Sequence, residues 1–167
     1  MKVLRSFDPW RSRLCTCPPK LTFNPYTGCS HGCIYCYASS YIPRFFECRP
    51  KQRLIERLSK ELVRIDKKLP ISISNSSDPY PPMEEKLKLT RSCLRILAQN
   101  KCKILLVTKS NLVCRDLDIL RRARVCVSLT ITTLNEKLAR KLEPGAPSPK
   151  KRIEAAEKLI KNRVPVA

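Results

Sequence analysis

The order of apolar and polar positions predicts strands that alternate with helices along most of the chain. Short apolar runs between polar residues indicate strands, and the continuous run Lys103–Thr108 is typical of a buried parallel strand. Apolar residues that recur every three or four positions indicate helices. The predicted strands are residues 20–24, 71–74, 103–108, 125–130 and the start of a further strand at 164–167. The predicted helices are residues 49–69, 84–99, 115–123, 135–142 and 150–162.

The helical spacing also predicts which side chains face the core. For the first, second and last helices these are Leu54, Ile55, Leu58, Leu62 and Ile65; Leu87, Leu94 and Leu97; and Ile153, Ala156, Leu159 and Ile160.

This alternation predicts an α/β fold with parallel strands and right-handed crossovers, and a doubly wound sheet and a barrel both satisfy it. In both architectures ligands bind at the carboxyl ends of the strands, where the polar loops of this chain should converge. Four strand–helix units and one more strand do not close a barrel, so we expect an incomplete barrel or a fragment of a longer protein. Residues 1–19 are expected to form an irregular extension, and residues 20–167 the domain.

The charge of the chain favours a phosphate-rich partner, above all DNA or RNA. Its 167 residues carry 34 Lys and Arg against 14 Asp and Glu, a formal net charge of +20. A basic surface that is merely solvated is the alternative.

Cysteine usage indicates a reduced, cytoplasmic protein. The chain has ten cysteines but no apolar run long enough for a signal peptide or a membrane span. Metal binding is therefore favoured over a disulfide framework. Cys93, Cys102 and Cys126 lie within apolar patterns and are expected to be small buried side chains.

Cys29, Cys33 and Cys36 form a C-x3-C-x2-C run, which is the strongest chemical signal in the chain. A closed structural metal site needs four ligands, whereas three thiolates on one loop suit a cube-shaped 4Fe–4S cluster with one iron open to another ligand. Gly28 and Gly32 allow the backbone to wrap closely around a bulky group.

Zinc is the alternative occupant of this loop. It would need a fourth ligand from elsewhere, such as His31, Cys48, Cys15 or Cys17. Without zinc, we expect His31 to be a spacer that faces outward, and Cys15, Cys17 and Cys48 to have no assigned role.

The cysteine spacing, with Tyr35 directly before the last cysteine, resembles that of the radical S-adenosylmethionine (radical SAM) superfamily. Longer pieces resemble its spore photoproduct lyase-like branch, from about residue 20 to the end. They are residues 24–37 (NPYTGCSHGCIYCY), 77–84 (SDPYPPME), 108–110 (TKS), 115–116 (RD), 132–133 (TT) and 143–147 (EPGAP).

The resemblance implies a partial (β/α) barrel, incomplete at its C-terminus, and a lyase-like enzyme that acts on an unnamed substrate. The three cysteines would hold a 4Fe–4S cluster whose open iron takes the amino and carboxylate groups of S-adenosylmethionine. Reductive cleavage would release methionine and a 5′-deoxyadenosyl radical. The electron would come from a flavodoxin- or ferredoxin-like donor.

The resemblance also implies a set of cofactor-binding residues, one group for each part of S-adenosylmethionine. They are Tyr35 near the adenine; Ser77 and Asp78 for the amino group; Lys109 and Ser110 for a carboxylate or a substrate phosphate; Ser128 and Thr130 for the ribose or carboxylate; and Glu143 for the ribose hydroxyls.

Two departures from the family pattern limit what carries over. The adenine-binding segments of the fifth and sixth strands are absent, and no residue matches the hydrogen-donating cysteine of spore photoproduct lyase, so thymine-dimer repair is not predicted. A non-catalytic nucleic-acid-binding module with zinc or a cluster, and an inactive truncated relative, remain as alternatives.

Overall fold

The computed structural model describes residues 2–6 and 18–167. Its main sheet has the strand order β1-β2-β5-β6-β7 and contains four parallel strands with one antiparallel strand at an edge. The strands are β1 (Arg5–Ser6, antiparallel), β2 (Leu21–Phe23), β5 (Ile71–Ile73), β6 (Lys103–Thr108) and β7 (Arg124–Leu129). The predicted parallel α/β sheet is therefore confirmed, and it does not close into a barrel.

A second, antiparallel ribbon and the helices complete the fold. The ribbon pairs β3 (Tyr26–Thr27) with β4 (Arg49–Pro50). The helices are α1 (Leu54–Leu62), α2 (Glu84–Leu87), α3 (Leu89–Gln99), α4 (Leu117–Leu120), α5 (Glu136–Leu142) and α6 (Pro149–Lys161), with 3₁₀ helices at Tyr37–Ser40 and Asn111–Asp116. No helix in the described ranges is long and apolar enough to cross a lipid bilayer.

The two faces of the sheet have different environments because side chains alternate along each strand. On β6 and β7 the core face carries Ile104, Leu106, Val125 and Val127, which pack with apolar side chains of the helices. The alternate residues of the two strands, Leu105, Val107, Cys126 and Ser128, are half-buried on the opposite face. Packing of the helices on one face is the arrangement expected of a partial barrel.

The predicted helices differ from the observed ones mainly at their ends. The segment predicted as one helix over 84–99 is two helices, because Lys88 adopts a left-handed backbone with φ of 50°. Leu87, expected in the core, is exposed as a result. The first helix begins only at Leu54, since residues 49–50 form β4.

The inward face predicted for α6 is wrong in part. Ile153 and Ile160 are exposed, whereas Arg152, Ala155 and Leu159 are buried. The helix is rotated so that the Arg152 guanidinium, rather than Ile153, reaches the interior, where three oxygen acceptors receive it.

Three smaller expectations have mixed outcomes. Within the segment expected to be irregular, Arg5–Ser6 form β1, and residues 7–17 lie outside the described residues. The strand expected to start at 164–167 is present as a parallel bridge between Val127 and Val166. Cys93 and Cys102 are buried as predicted, but Cys126 is only half-buried.

Candidate functional site

The cysteine loop, residues 28–36, lies at the carboxyl end of the sheet between β3 and the 3₁₀ helix Tyr37–Ser40. Cys29 is buried, and Cys33 and Cys36 are half-buried. All three border an open cavity of about 180 Å³ that is also lined by the loops following β5, β6 and β7. From those loops it is lined by residues 74–78, Thr108, Lys109 and Thr130.

Gly28 has the conformation and the space that only glycine tolerates. Its φ is +76°, and a Cβ there would lie 2.4 Å from the carbonyl oxygen of Phe45. The next amide, of Cys29, donates to the same oxygen over 2.7 Å. Gly28 therefore lets the loop pack against the segment that precedes β4.

Gly145 holds the other side of the cysteine loop. Its amide donates to the carbonyl oxygen of His31 over 2.9 Å, and a Cβ would lie 2.2 Å from the oxygen of Ser30. The amide of Ile34 donates to Leu142 O over 2.9 Å. The segment that ends α5 thus fixes the loop through its backbone.

Burial suppresses ionisation of Cys29 and Cys33, two of the thiols that line the cavity. Burial raises the pKa of the Cys29 thiol to about 11 and raises the pKa of Cys33 above its ordinary value. A thiolate is the form that binds metal, so metal binding at this loop has to release protons.

Three thiols on one loop are donors of the kind that hold an iron–sulfur cluster. Among the described residues, no three His, Cys, Asp or Glu side chains converge closely enough to hold one ion. In an iron–sulfur cluster each thiolate binds a different iron, so the sulfurs need not meet at one point. The cavity also contains the buried hydroxyl of Ser74, which has no hydrogen-bond partner among the described residues.

The expectation that His31 faces outward is wrong. Its side chain is buried against Asp78, with 3.6 Å between Nδ1 and Oδ2, and it lines the cavity. Cys48 is half-buried directly before β4, and burial raises the pKa of its thiol to about 12. Cys15 and Cys17 lie outside the described residues.

Asp78 joins the loops that follow β5 and β6. Its Oδ1 accepts from the hydroxyl of Thr108 over 2.8 Å and from the amide of Tyr80 over 2.9 Å. Its Oδ2 accepts from the amide of Lys109 over 2.7 Å. Ser77 donates from Oγ to Tyr26 O over 3.1 Å. Both predicted residues line the cavity, and both also hold its walls together.

The predicted residues at the ends of β6 and β7 divide into two groups. Lys109 and Thr130 line the cavity. Ser110 instead caps the 3₁₀ helix Asn111–Asp116, where its Oγ accepts from Leu112 N, and it borders a second cavity of about 450 Å³. Ser128 lies on the half-buried face of β7.

Tyr35 and Glu143 are in direct contact although they are far apart in the sequence. The Tyr35 hydroxyl donates to Glu143 Oε1, which also accepts from Thr132 Oγ1 over 2.6 Å. Glu143 Oε2 lies 2.6 Å from Nη2 of the buried Arg152, and Lys109 Nζ lies 3.7 Å from Oε1. Burial opposes ionisation of Glu143, but the hydrogen bonds from Thr132, Tyr35 and Arg152 outweigh it and lower the carboxyl pKa.

Sequence reasoning missed a buried ionic network beneath the site. Glu84 and Asp116 are fully buried and share Arg115, whose Nη2 lies 2.7 Å from Glu84 Oε1 and whose Nε lies 2.9 Å from Asp116 Oδ1. Glu84 also accepts from the hydroxyl of Tyr26, and Asp116 from that of Tyr80. In the sequence, Glu84, Arg115 and Asp116 were marked only by their positions in the family-like pieces 77–84 and 115–116.

Comparison with known proteins gives one family and several relatives. The chain matches the Radical SAM superfamily over residues 23–167. It is 32% identical over 158 residues to an uncharacterized protein of Methanocaldococcus jannaschii, covering 87% of this chain and 57% of that protein. It is 33% identical over 148 residues to the uncharacterized protein ORF301 of Acidianus two-tailed virus, covering 78% of this chain and 48% of that protein. The chain spans about half the length of these relatives.

Solved structures share the fold. A spore photoproduct lyase variant with bound AdoMet and dinucleoside spore photoproduct has a TM-score of 0.67 at 19% identity, covering 87% of this chain and 44% of that chain. The protein anSMEcpe with bound AdoMet has a TM-score of 0.63 at 16% identity, covering 87% and 40%. These likenesses confirm the predicted partial barrel and, at the level of fold, the resemblance to spore photoproduct lyase.

Proposed function

Because the chain belongs to the radical SAM superfamily, we propose that it binds a 4Fe–4S cluster and reductively cleaves S-adenosylmethionine to methionine and a 5′-deoxyadenosyl radical. Cys29, Cys33 and Cys36 would hold the cluster. The observation that carries the proposal is the cavity that these cysteines share with the polar loops at the carboxyl ends of three parallel strands. Ligands of parallel α/β proteins bind at this edge.

The residues around the cavity have separate tasks in this proposal. When bound, the cluster supplies the electron that breaks a carbon–sulfur bond of S-adenosylmethionine. The Ser74 hydroxyl is available to a polar group of the cofactor. Lys109 provides a positive charge for a carboxylate. Asp78 fixes the loops after β5 and β6, and can accept from an ammonium group through Oδ2.

The proposed substrate class is nucleic acid, and the proposed electron source is a reduced flavodoxin- or ferredoxin-like protein. The net charge of +20 supports a phosphate-rich partner. A similar fold in a spore photoproduct lyase bound to a dinucleoside photoproduct adds support for a lyase-like reaction.

Anaerobic reconstitution with iron and sulfide tests the cluster and the cleavage together. We expect bound iron, the broad visible absorption of an iron–sulfur cluster, and formation of 5′-deoxyadenosine from S-adenosylmethionine under dithionite. Cys33→Ala should abolish all three, whereas Cys126→Ala, which removes another half-buried thiol, should retain them. Zinc in place of iron would support the metal-binding module instead, and a cluster without cleavage would support an inactive relative.

Fluorescence anisotropy with labelled single- and double-stranded DNA and RNA tests the substrate class. Binding should weaken steeply as salt rises, because phosphate contacts release counterions. Absence of binding at low salt would contradict this part of the proposal and leave the cluster chemistry intact.

A further inference from the structure

We infer that Glu143 and Arg152 are positioning residues that hold Tyr35, and with it the cysteine loop, against the carboxyl end of β7. This inference rests on the proposed function and adds to it the device that fixes the cluster loop relative to the cofactor cavity. It replaces the expectation that Glu143 binds ribose hydroxyls.

The Glu143 carboxylate contacts side chains of this chain through both oxygens, by hydrogen bonds at Oε1 and by an ion pair at Oε2. The residue is 2% exposed. Its Oε1 accepts from Thr132 and Tyr35, and its Oε2 pairs with Arg152 at 2.6 Å. A ribose diol would have to displace Thr132 or Tyr35 from Oε1, at the cost of a hydrogen bond to the buried carboxylate, or reach Oε2 of a residue that is 2% exposed.

Arg152 links Glu143 to two other parts of the fold. The arginine is 1% exposed, and its Nε donates to Pro147 O over 2.8 Å while its Nη1 donates to Thr130 O over 3.0 Å. One guanidinium thus contacts the residue that follows β7, the loop 143–147 and the carboxylate. The planar guanidinium donates to two carbonyl oxygens and pairs with the carboxylate from fixed directions, a geometry that the compact ammonium group of lysine does not match.

Tyr35 transmits this arrangement to the metal-binding segment. It lies between Cys33 and Cys36. Its hydroxyl donates to Glu143, and Lys109 Nζ lies over the face of its ring, 5.9 Å from the ring centre. Since Lys109 and Thr130 line the same cavity as the three cysteines, the contacts of Tyr35 fix the cysteine loop relative to the loops that follow β6 and β7.

The main test measures S-adenosylmethionine affinity in reconstituted, unreduced protein by isothermal titration. Tyr35→Phe and Glu143→Gln should keep the iron content and lower the affinity about 10-fold, as loss of supporting hydrogen bonds around a metal site does. The affinity of the double variant should be no lower than that of whichever single variant binds S-adenosylmethionine less tightly. Glu136→Gln, an exposed glutamate on α5, is the matched control and should bind as the wild type does.

A cofactor analogue without the ribose 2′-hydroxyl separates positioning from direct contact. If Glu143 only positions Tyr35, the analogue should bind more weakly than S-adenosylmethionine by the same factor in the wild type and in Glu143→Gln. A loss seen in wild type but absent in Glu143→Gln would overturn the inference, because it would mean a direct bond to ribose. Additive effects of Tyr35→Phe and Glu143→Gln would also overturn it.

A measurement without cofactor keeps the inference testable if the proposed function fails. Amide hydrogen exchange in the metal-free chain should become faster across residues 30–36 in Glu143→Gln and in Tyr35→Phe, but not in Glu136→Gln. Unchanged exchange would overturn the inference alone. A wild-type chain that binds neither iron nor S-adenosylmethionine would overturn the proposed function, whatever the exchange shows.

Discussion

Replacing Arg115 by Met should destabilise the fold strongly, because it removes the shared cation of two buried carboxylates. The side chain of Arg115 is 20% exposed, and those of Glu84 and Asp116 are 0% exposed. Arg115 donates to Glu84 O over 2.8 Å and to Glu84 Oε1 over 2.7 Å, and to the two carboxylate oxygens of Asp116 over 2.9 and 3.0 Å. Met fills much of the volume but provides no donor.

The magnitude follows from the burial of the partners. Breaking a buried ion pair by removing one member costs about 3–5 kcal/mol, and the partial exposure of Arg115 favours the lower end, about 3 kcal/mol. For a domain of this size that loss lowers the melting temperature by about 6–12 °C. Part of the effect should be absorbed by Arg91, whose Nη1 also donates to Asp116 Oδ1 over 2.7 Å.

Urea and thermal unfolding of the metal-free chain, followed by circular dichroism, measure this loss. Glu56→Gln is the control, because it breaks an exposed pair with Arg53 and Lys60 and should change stability little. A loss below about 1 kcal/mol for Arg115→Met would refute the reasoning, since that is the size of a surface ion pair.

Three further predictions concern the loops around the cavity. Gly145→Ala places a Cβ 2.2 Å from Ser30 O, so the cysteine loop has to move. This should lower the free energy of unfolding by about 1–3 kcal/mol and lower iron uptake in reconstitution. Wild-type values of both would contradict the prediction. Cys48→Ser should keep the full iron content, and a loss of iron would assign Cys48 as a ligand. The folded pKa of Glu143 is lowered, so its contribution to stability is present above its ordinary pKa of 4.5 and is lost as pH falls through the lowered value. In acid titrations followed by circular dichroism, the stability of Glu143→Gln should therefore fall less steeply with pH than that of the wild type. Equal slopes of stability against pH would refute this.

The sequence predicted best what local pattern decides. The strand Lys103–Thr108 is predicted to the residue, because a short continuous apolar run bounded by polar residues is typical of a buried parallel strand. The convergence of the cysteine loop with Asp78 and Lys109 also followed, since parallel strands bring their carboxyl ends to one edge.

The sequence did not predict properties that depend on tertiary acceptors. The helical spacing of α6 predicts Ile153 in the core and does not single out Arg152. Only the placement of Thr130 O and Pro147 O beside α6 reverses the two. His31 was misjudged for the same reason, because the carboxylate that accompanies it inside the fold, Asp78, is 47 residues away along the chain.

The contact between Tyr35 and Glu143 has a consequence for folding, because the two residues are 108 positions apart in the sequence. Closing so long a loop is slow, since its entropy is lost before the contact is gained. During synthesis at about 5–20 residues per second, the cysteines leave the ribosome several seconds before Glu143 does. Through that interval the thiols cannot be held in their final arrangement. A cluster inserted then would meet a mobile loop, whereas one inserted later would meet a loop already locked against β7.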